Sequence, residues 1–141
     1  MNRLSASFRD PSGFVFSHDG FIYRQVNTRY ASEYEQLMTS GLYDALTEKQ
    51  WLIRHEAVQD PSVSAGPDAY KLLRPEQIPY ISYPYEWCFS QLKDAALLTL
   101  KIAAKALQHD MILKDASAYN VQFVGSRPLF IDTLSFAPYV E

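Results

Sequence analysis

One helical pattern, Leu92 to Gln108, stands between two strand pairs, and this order constrains the fold more than any other feature of the chain. Leu92, Ala95, Ala96, Thr99, Ile102, Ala103, Ala106 and Leu107 recur at helical spacing and make a broad apolar face, with Asp94, Lys101, Lys105 and Gln108 opposite. Upstream, Phe14-Val15-Phe16 and Phe21 to Val26 are rich in aromatic and β-branched residues, and the Asp19-Gly20 pair between them signals a hairpin with His18 at its solvated tip. Downstream, Val121 to Val124 and Leu129 to Ile131 flank Gly125-Ser126-Arg127-Pro128, a second hairpin. Between these landmarks, Asn27 or Thr28 caps a helix with Tyr30, Ala31, Tyr34, Leu37 and Met38 on one face, and Gly41 stops it. Leu42 to Gln50 reads as a second short helix or turn, and Trp51-Leu52-Ile53 and Ala69 to Leu73 as strands. Gln59 to Asp68 reads as a loop, and the stretch through Pro75, Pro79 and Pro84 as extended chain. Residues 1–12 read as an irregular lead-in. The class is α+β rather than alternating β-α-β.

Composition narrows the function. The chain has 141 residues, with 13 Lys and Arg against 16 Asp and Glu. A formal charge of -3 supplies no positive field for nucleic acid or anionic membranes. The helix from Leu92 is too short and too charged to span a bilayer, and the N-terminus has no apolar run of signal-peptide length. These features point to a cytoplasmic protein. The single cysteine, Cys88, excludes an intrachain disulfide and a multi-cysteine zinc site; it reads as a small buried apolar residue. His18, His55 and His109 show no ligand spacing.

One constellation can carry chemistry. Leu113-Lys114-Asp115-Ala116-Ser117-Ala118-Tyr119-Asn120 is followed by the second hairpin and then by Asp132. A carboxylate such as Asp115 can orient or deprotonate an attacking hydroxyl, and the Asn120 amide oxygen with the Asp132 carboxylate can hold Mg2+ against nucleotide phosphates. The same residue types are also common turn formers, so both readings stand on spacing alone.

In this order of elements the chain resembles the protein kinase and aminoglycoside phosphotransferase superfamily, with a small-lobe sheet and helix, a long helix, and a catalytic-loop hairpin that begins a truncated large lobe. The resemblance implies Asp115 as the catalytic base, Asn120 and Asp132 as metal ligands, Arg24 and Glu35 as phosphate-binding cation and partner acid, and ATP with Mg2+ as cofactors. It divides the chain into a β-rich region (residues 1–79), a linker (residues 80–88) and the long helix with its hairpin (residues 89–141). The chain departs from the pattern in having no G-x-G-x-x-G loop. Leu113-Lys114 stands before Asp115, and Thr133-Leu134 stands after Asp132 where the family has Phe-Gly.

A second resemblance covers nearly the whole chain. Tyr70 to Pro79, Ile81 to Trp87, Phe89 to Leu100 and Leu113 to Phe123 are similar to the N-terminal region of bacterial class I SAM-dependent methyltransferase family proteins. It implies that the chain is the front of a longer protein whose SAM-binding methyltransferase domain follows in the same polypeptide. The kinase-like region is then a pseudokinase that scaffolds or binds a small molecule; the alternative is an ATP- and Mg2+-dependent small-molecule phosphotransferase using Asp115.

The remaining conspicuous residues read as structural. Tyr80, Tyr83, Tyr85 and Trp87 read as packing groups with polar tips, Lys101 and Lys105 as a solvated helix face, His55-Glu56 as a surface pair at a strand end, and His109-Asp110 as the end of the long helix.

Overall fold

The computed structural model describes residues 2–3, 11–59, 67–79 and 81–140. The chain divides into two compact units, residues 1–32 with 54–77 and residues 33–53 with 78–141. Together they give a mixed α+β protein with an antiparallel sheet and, among the described residues, three α-helices.

The first unit is a sheet. Strands β1 (Asn2–Arg3), β2 (Gly13–His18), β3 (Phe21–Asn27), β4 (His55–Val58) and β5 (Ala69–Pro75) lie in the order β1-β2-β3-β5-β4. The β2–β3 hairpin closes on Asp19 and Gly20, with φ of 50° and 80°, as a two-residue turn matched to strand twist requires. Its register puts Phe16 opposite Tyr23, and their rings stack at 5.6 Å. Phe14 joins them, with Val58 and Leu72 packed against the trio. Such cross-strand aromatic pairs each contribute roughly 0.2–1 kcal/mol beyond what alanines would. The expected irregular lead-in is overturned at Asn2–Arg3, which pair with Ser17 and Phe16; the rest of that stretch through residue 10, and residues 60–66 of the expected loop, lie outside the described residues. His18 is half-buried rather than solvated, its ring packing edge-on to Tyr23.

The second unit holds α1 (Ala31–Thr39, its first residues from the other unit), α2 (Leu42–Glu48), α3 (Phe89–Gln108) and four short strands, β6 (Met111–Leu113), β7 (Val121–Val124), β8 (Arg127–Phe130) and β9 (Phe136–Pro138). Gly41 joins α1 to α2 at φ 84°, a left-handed conformation that costs other residues about 1–2 kcal/mol. Beside it His109, at the end of α3, places Nδ1 2.9 Å from the Ser40 carbonyl. Strand β6 pairs antiparallel with β9, and β7 with β8. Leu37, Leu42, Leu46 and Leu52 share one core with Leu98, Ile102, Ala106, Met111, Phe130 and Phe136. This packing groups residues 33–53 with the long helix rather than with the strands of the β-rich region. Burying a leucine or phenylalanine side chain contributes about 1.5–3 kcal/mol, so this shared core dominates the unit.

Several expectations are corrected here. Trp51-Leu52-Ile53 is not a strand. Only Leu52 bridges, in parallel to Phe130, fixed by Phe130 N to Trp51 O at 2.8 Å and Ile53 N to Phe130 O at 2.9 Å. The long helix begins at Phe89, because Gln91 Oε1 accepts from Cys88 N at 3.0 Å and closes its first turn. Cys88 is exposed, not buried. Tyr83 and Tyr85 are exposed too and stack on each other at 5.6 Å, while Trp87 is buried edge-on against Phe123. Leu92, Ala96 and Leu107, expected in the core, face out; the buried line is Ala95, Leu98, Ile102 and Ala106.

Candidate functional site

The backbone brings the segments that carry Asp115, Asn120 and Asp132 together. Asp115 follows β6, where Lys114 N donates to Ser135 O at 2.7 Å. That bond extends the β6–β9 ladder, in which Leu113 faces Phe136. Asn120 ends a 3-10 turn, Ala118–Asn120, capped by Ser117 Oγ accepting from Tyr119 N at 3.2 Å. Its carbonyl accepts from Ile131 N at 2.8 Å, which seats Asn120 beside the residue preceding Asp132.

The side chains then take different roles. Asp115 is exposed, and its Oδ1 accepts from Ser117 N at 3.0 Å, an Asx turn that starts the loop. Asp132 is half-buried and turned into its own loop: Oδ1 accepts from Leu134 N at 3.0 Å and Oδ2 from Ser135 Oγ at 2.6 Å. Thr133, Leu134 and Ser135 are all buried, so this carboxylate shapes the connection from β8 to β9. Asn120 Nδ2 is buried with no hydrogen-bond partner among the described residues.

For a magnesium ion, Asn120 would offer its amide oxygen and Asp132 its carboxylate. Both Asp132 oxygens accept a hydrogen bond within the loop, and each keeps a further lone pair. Among the described residues, no group of three or more His, Cys, Asp or Glu gathers that could hold a metal ion. Arg24 lies on β3 between Val15 of β2 and Leu73 of β5. Glu35 lies on α1, in the other compact unit.

Other polar clusters went unnoticed in the sequence. Lys49, Trp51, Asp94, Leu97, Lys101 and Arg127 line a cleft of about 250 Å³. Lys49 and Lys101 place their ammonium groups 5.3 and 5.9 Å from the Trp51 ring centroid, and Arg127 Nη1 donates to Gln50 O at 3.0 Å. These residues come from three distant stretches, and no local pattern announces them. In the sheet unit, Arg54, His55, Glu56, Arg74 and Glu76 border a wider cleft of about 530 Å³. Burial, then the charges of Arg24 and Lys71, lowers the His55 pKa from 6.5 to about 4. Neither cleft is lined by Asp115, Asn120 or Asp132.

No helix among the described residues is long and apolar enough to cross a membrane. No family model matches the chain. Among curated proteins it is similar to the nodulation protein NoeA of Rhizobium meliloti (strain 1021), with 38% identity over 144 residues, 97% of this chain and 29% of that protein. The chain therefore spans less than a third of the length of the curated relative it matches.

Proposed function

We propose that this chain is the N-terminal, kinase-like and non-catalytic region of a longer cytoplasmic SAM-dependent methyltransferase, which it serves as a scaffold. The observation that supports the non-catalytic role is the Asp132 carboxylate, which accepts from Leu134 N and Ser135 Oγ and so has a structural part in the connection from β8 to β9. In this reading that carboxylate holds the loop in place and has no metal to hold. That the chain belongs to a longer protein is supported by the small share, 29%, of the similar protein that it spans. SAM belongs to the remainder of the polypeptide in this reading. The test is calorimetry on the full-length protein: SAM binds and MgATP gives no heat. MgATP binding that is lost in Asp132→Ala would reverse the reading.

A second reading keeps the site active as an ATP- and Mg2+-dependent phosphotransferase, with Asp115 as base and Asn120 and Asp132 at the metal. It is motivated by the bond from Ile131 N to Asn120 O at 2.8 Å, which sets Asn120 beside the residue preceding Asp132.

A further inference from the structure

Helix α3 carries two apolar stripes, separated on one side by the polar line of Ser90, Asp94, Lys101, Lys105 and Gln108. Its inward line is Ala95, Leu98, Ile102 and Ala106. On the outward side, Phe89, Ala96, Leu100 and Leu107 fall on one line at helical spacing, flanked by Leu92, Leu97 and Ala104. Phe89 is 81% exposed, Leu100 67% and Leu107 53%. A surface helix typically carries polar residues opposite its buried stripe, so a second exposed apolar stripe is a candidate contact surface. An apolar band along a helix of roughly 30 Å marks a contact surface rather than scattered exposed leucines.

We infer that the outward face of α3, centred on Leu100, is the seat of the remaining chain of the same polypeptide, which lays an apolar surface along it. This rests on the reading that the segment belongs to a longer protein, but not on any methyl or phosphoryl transfer. One observation selects that occupant. Strand β9 runs beside the exit of α3, with Tyr139 N donating to Asp110 O at 3.0 Å. Chain continuing past Tyr139 therefore starts at the Leu107 end of the band. A second copy of the chain is the alternative occupant, which the mass measurement below separates.

The test uses the full-length protein with Cys88→Ser, so that one introduced thiol reports. Leu100→Cys is compared with Ser126→Cys, an exposed turn position, by maleimide labelling, with mass from light scattering. The expected result is a monomer in which Leu100→Cys reacts about ten-fold or more slowly than Ser126→Cys, the difference vanishing in denaturant. Ala104→Cys, on the same face, repeats the measurement if Leu100→Cys unfolds. Equal rates in a folded monomer overturn the inference, as does protection that appears only when the mass doubles. The readout is separate from the function proposed above. A protected thiol in a protein that binds no SAM removes the methyltransferase and keeps the docking face, whereas SAM binding with a reactive thiol does the reverse.

Discussion

Ser135 Oγ donates to Asp132 Oδ2 at 2.6 Å, and the Ser135 carbonyl accepts from Lys114 N at 2.7 Å. One buried serine thus ties the acid that ends the second hairpin to the strand that leads into Asp115. Hydrogen bonds to a charged group contribute about 1.5–3 kcal/mol. Asp132→Ala is expected to lower the stability of the unit by about that amount in urea unfolding, with Asp132→Asn losing less because one acceptor remains. A double-mutant cycle with Ser135→Ala should return a coupling of about 0.5–3 kcal/mol. An Asp132→Ala protein as stable as the parent would show that the carboxylate does not hold the loop.

Gln122 does for the extended segment before α3 what Asp132 does for the loop. Its amide pairs with Ser82 in both directions, Oε1 accepting from Ser82 N at 2.9 Å and Nε2 donating to Ser82 O at 3.0 Å. The buried Trp87 then donates Nε1 to Ser82 Oγ at 3.0 Å. Gln122→Leu removes both bonds and strands the Ser82 backbone, at a cost of about 1–3 kcal/mol. Amide exchange at Ser82 should accelerate strongly while exchange within α3 changes little. Unchanged protection at Ser82 would show that other contacts hold the segment.

The features of this fold that were legible in the sequence are those decided by neighbours in the chain. Asp19-Gly20 declared the first hairpin because both turn residues adopt positive φ, and Gly41 declared the break between α1 and α2 for the same reason. Strands β6 and β9 left no trace: each is three residues long, and each exists only because the other lies beside it. The Leu52 bridge to Phe130 is hidden for the same reason. For α3 the periodicity announced a helix, but with apolar residues on both sides it could not say which side is covered, and Leu92, Ala96 and Leu107 turned out to face outward. The Asp115, Asn120 and Asp132 segments were found by spacing. The partner that decides how Asp132 behaves, Ser135, is an ordinary serine in the sequence and acquires its role only when the loop closes.

Cys88 is exposed at the start of α3, with Sγ 3.2 Å from Ser90 Oγ. That hydrogen bond first, and the Gln91 backbone N–H next, lower its pKa from 9.0. A larger thiolate fraction near neutral pH makes it more reactive than a free cysteine. Alkylation by iodoacetamide, followed against pH, should therefore rise at lower pH than for a model thiol, and Ser90→Ala should move the profile back upward. An unchanged profile in Ser90→Ala would remove the hydroxyl from the account.

His55 should make the sheet unit sensitive to mild acid. Its imidazole is held neutral in the folded chain down to about 4, by burial and then by Arg24 and Lys71, against 6.5 in an unfolded chain. Between those values the unfolded chain binds the additional proton, so the slope of stability with pH is positive there. The contribution is fully present above 6.5 and is lost as the pH falls towards about 4. The urea midpoint of the parent protein should therefore drop between about pH 7 and about pH 4.5, and that drop should be smaller in His55→Gln, where no proton is taken up. Carboxylates contribute to acid unfolding in both proteins, so the difference between the two slopes is what reports on His55. NMR titration gives an independent check, since the ring resonances should stay in their neutral positions at about pH 5. Equal slopes, with a ring that titrates near 6.5, would mean that the imidazole is solvated rather than shielded in the sheet.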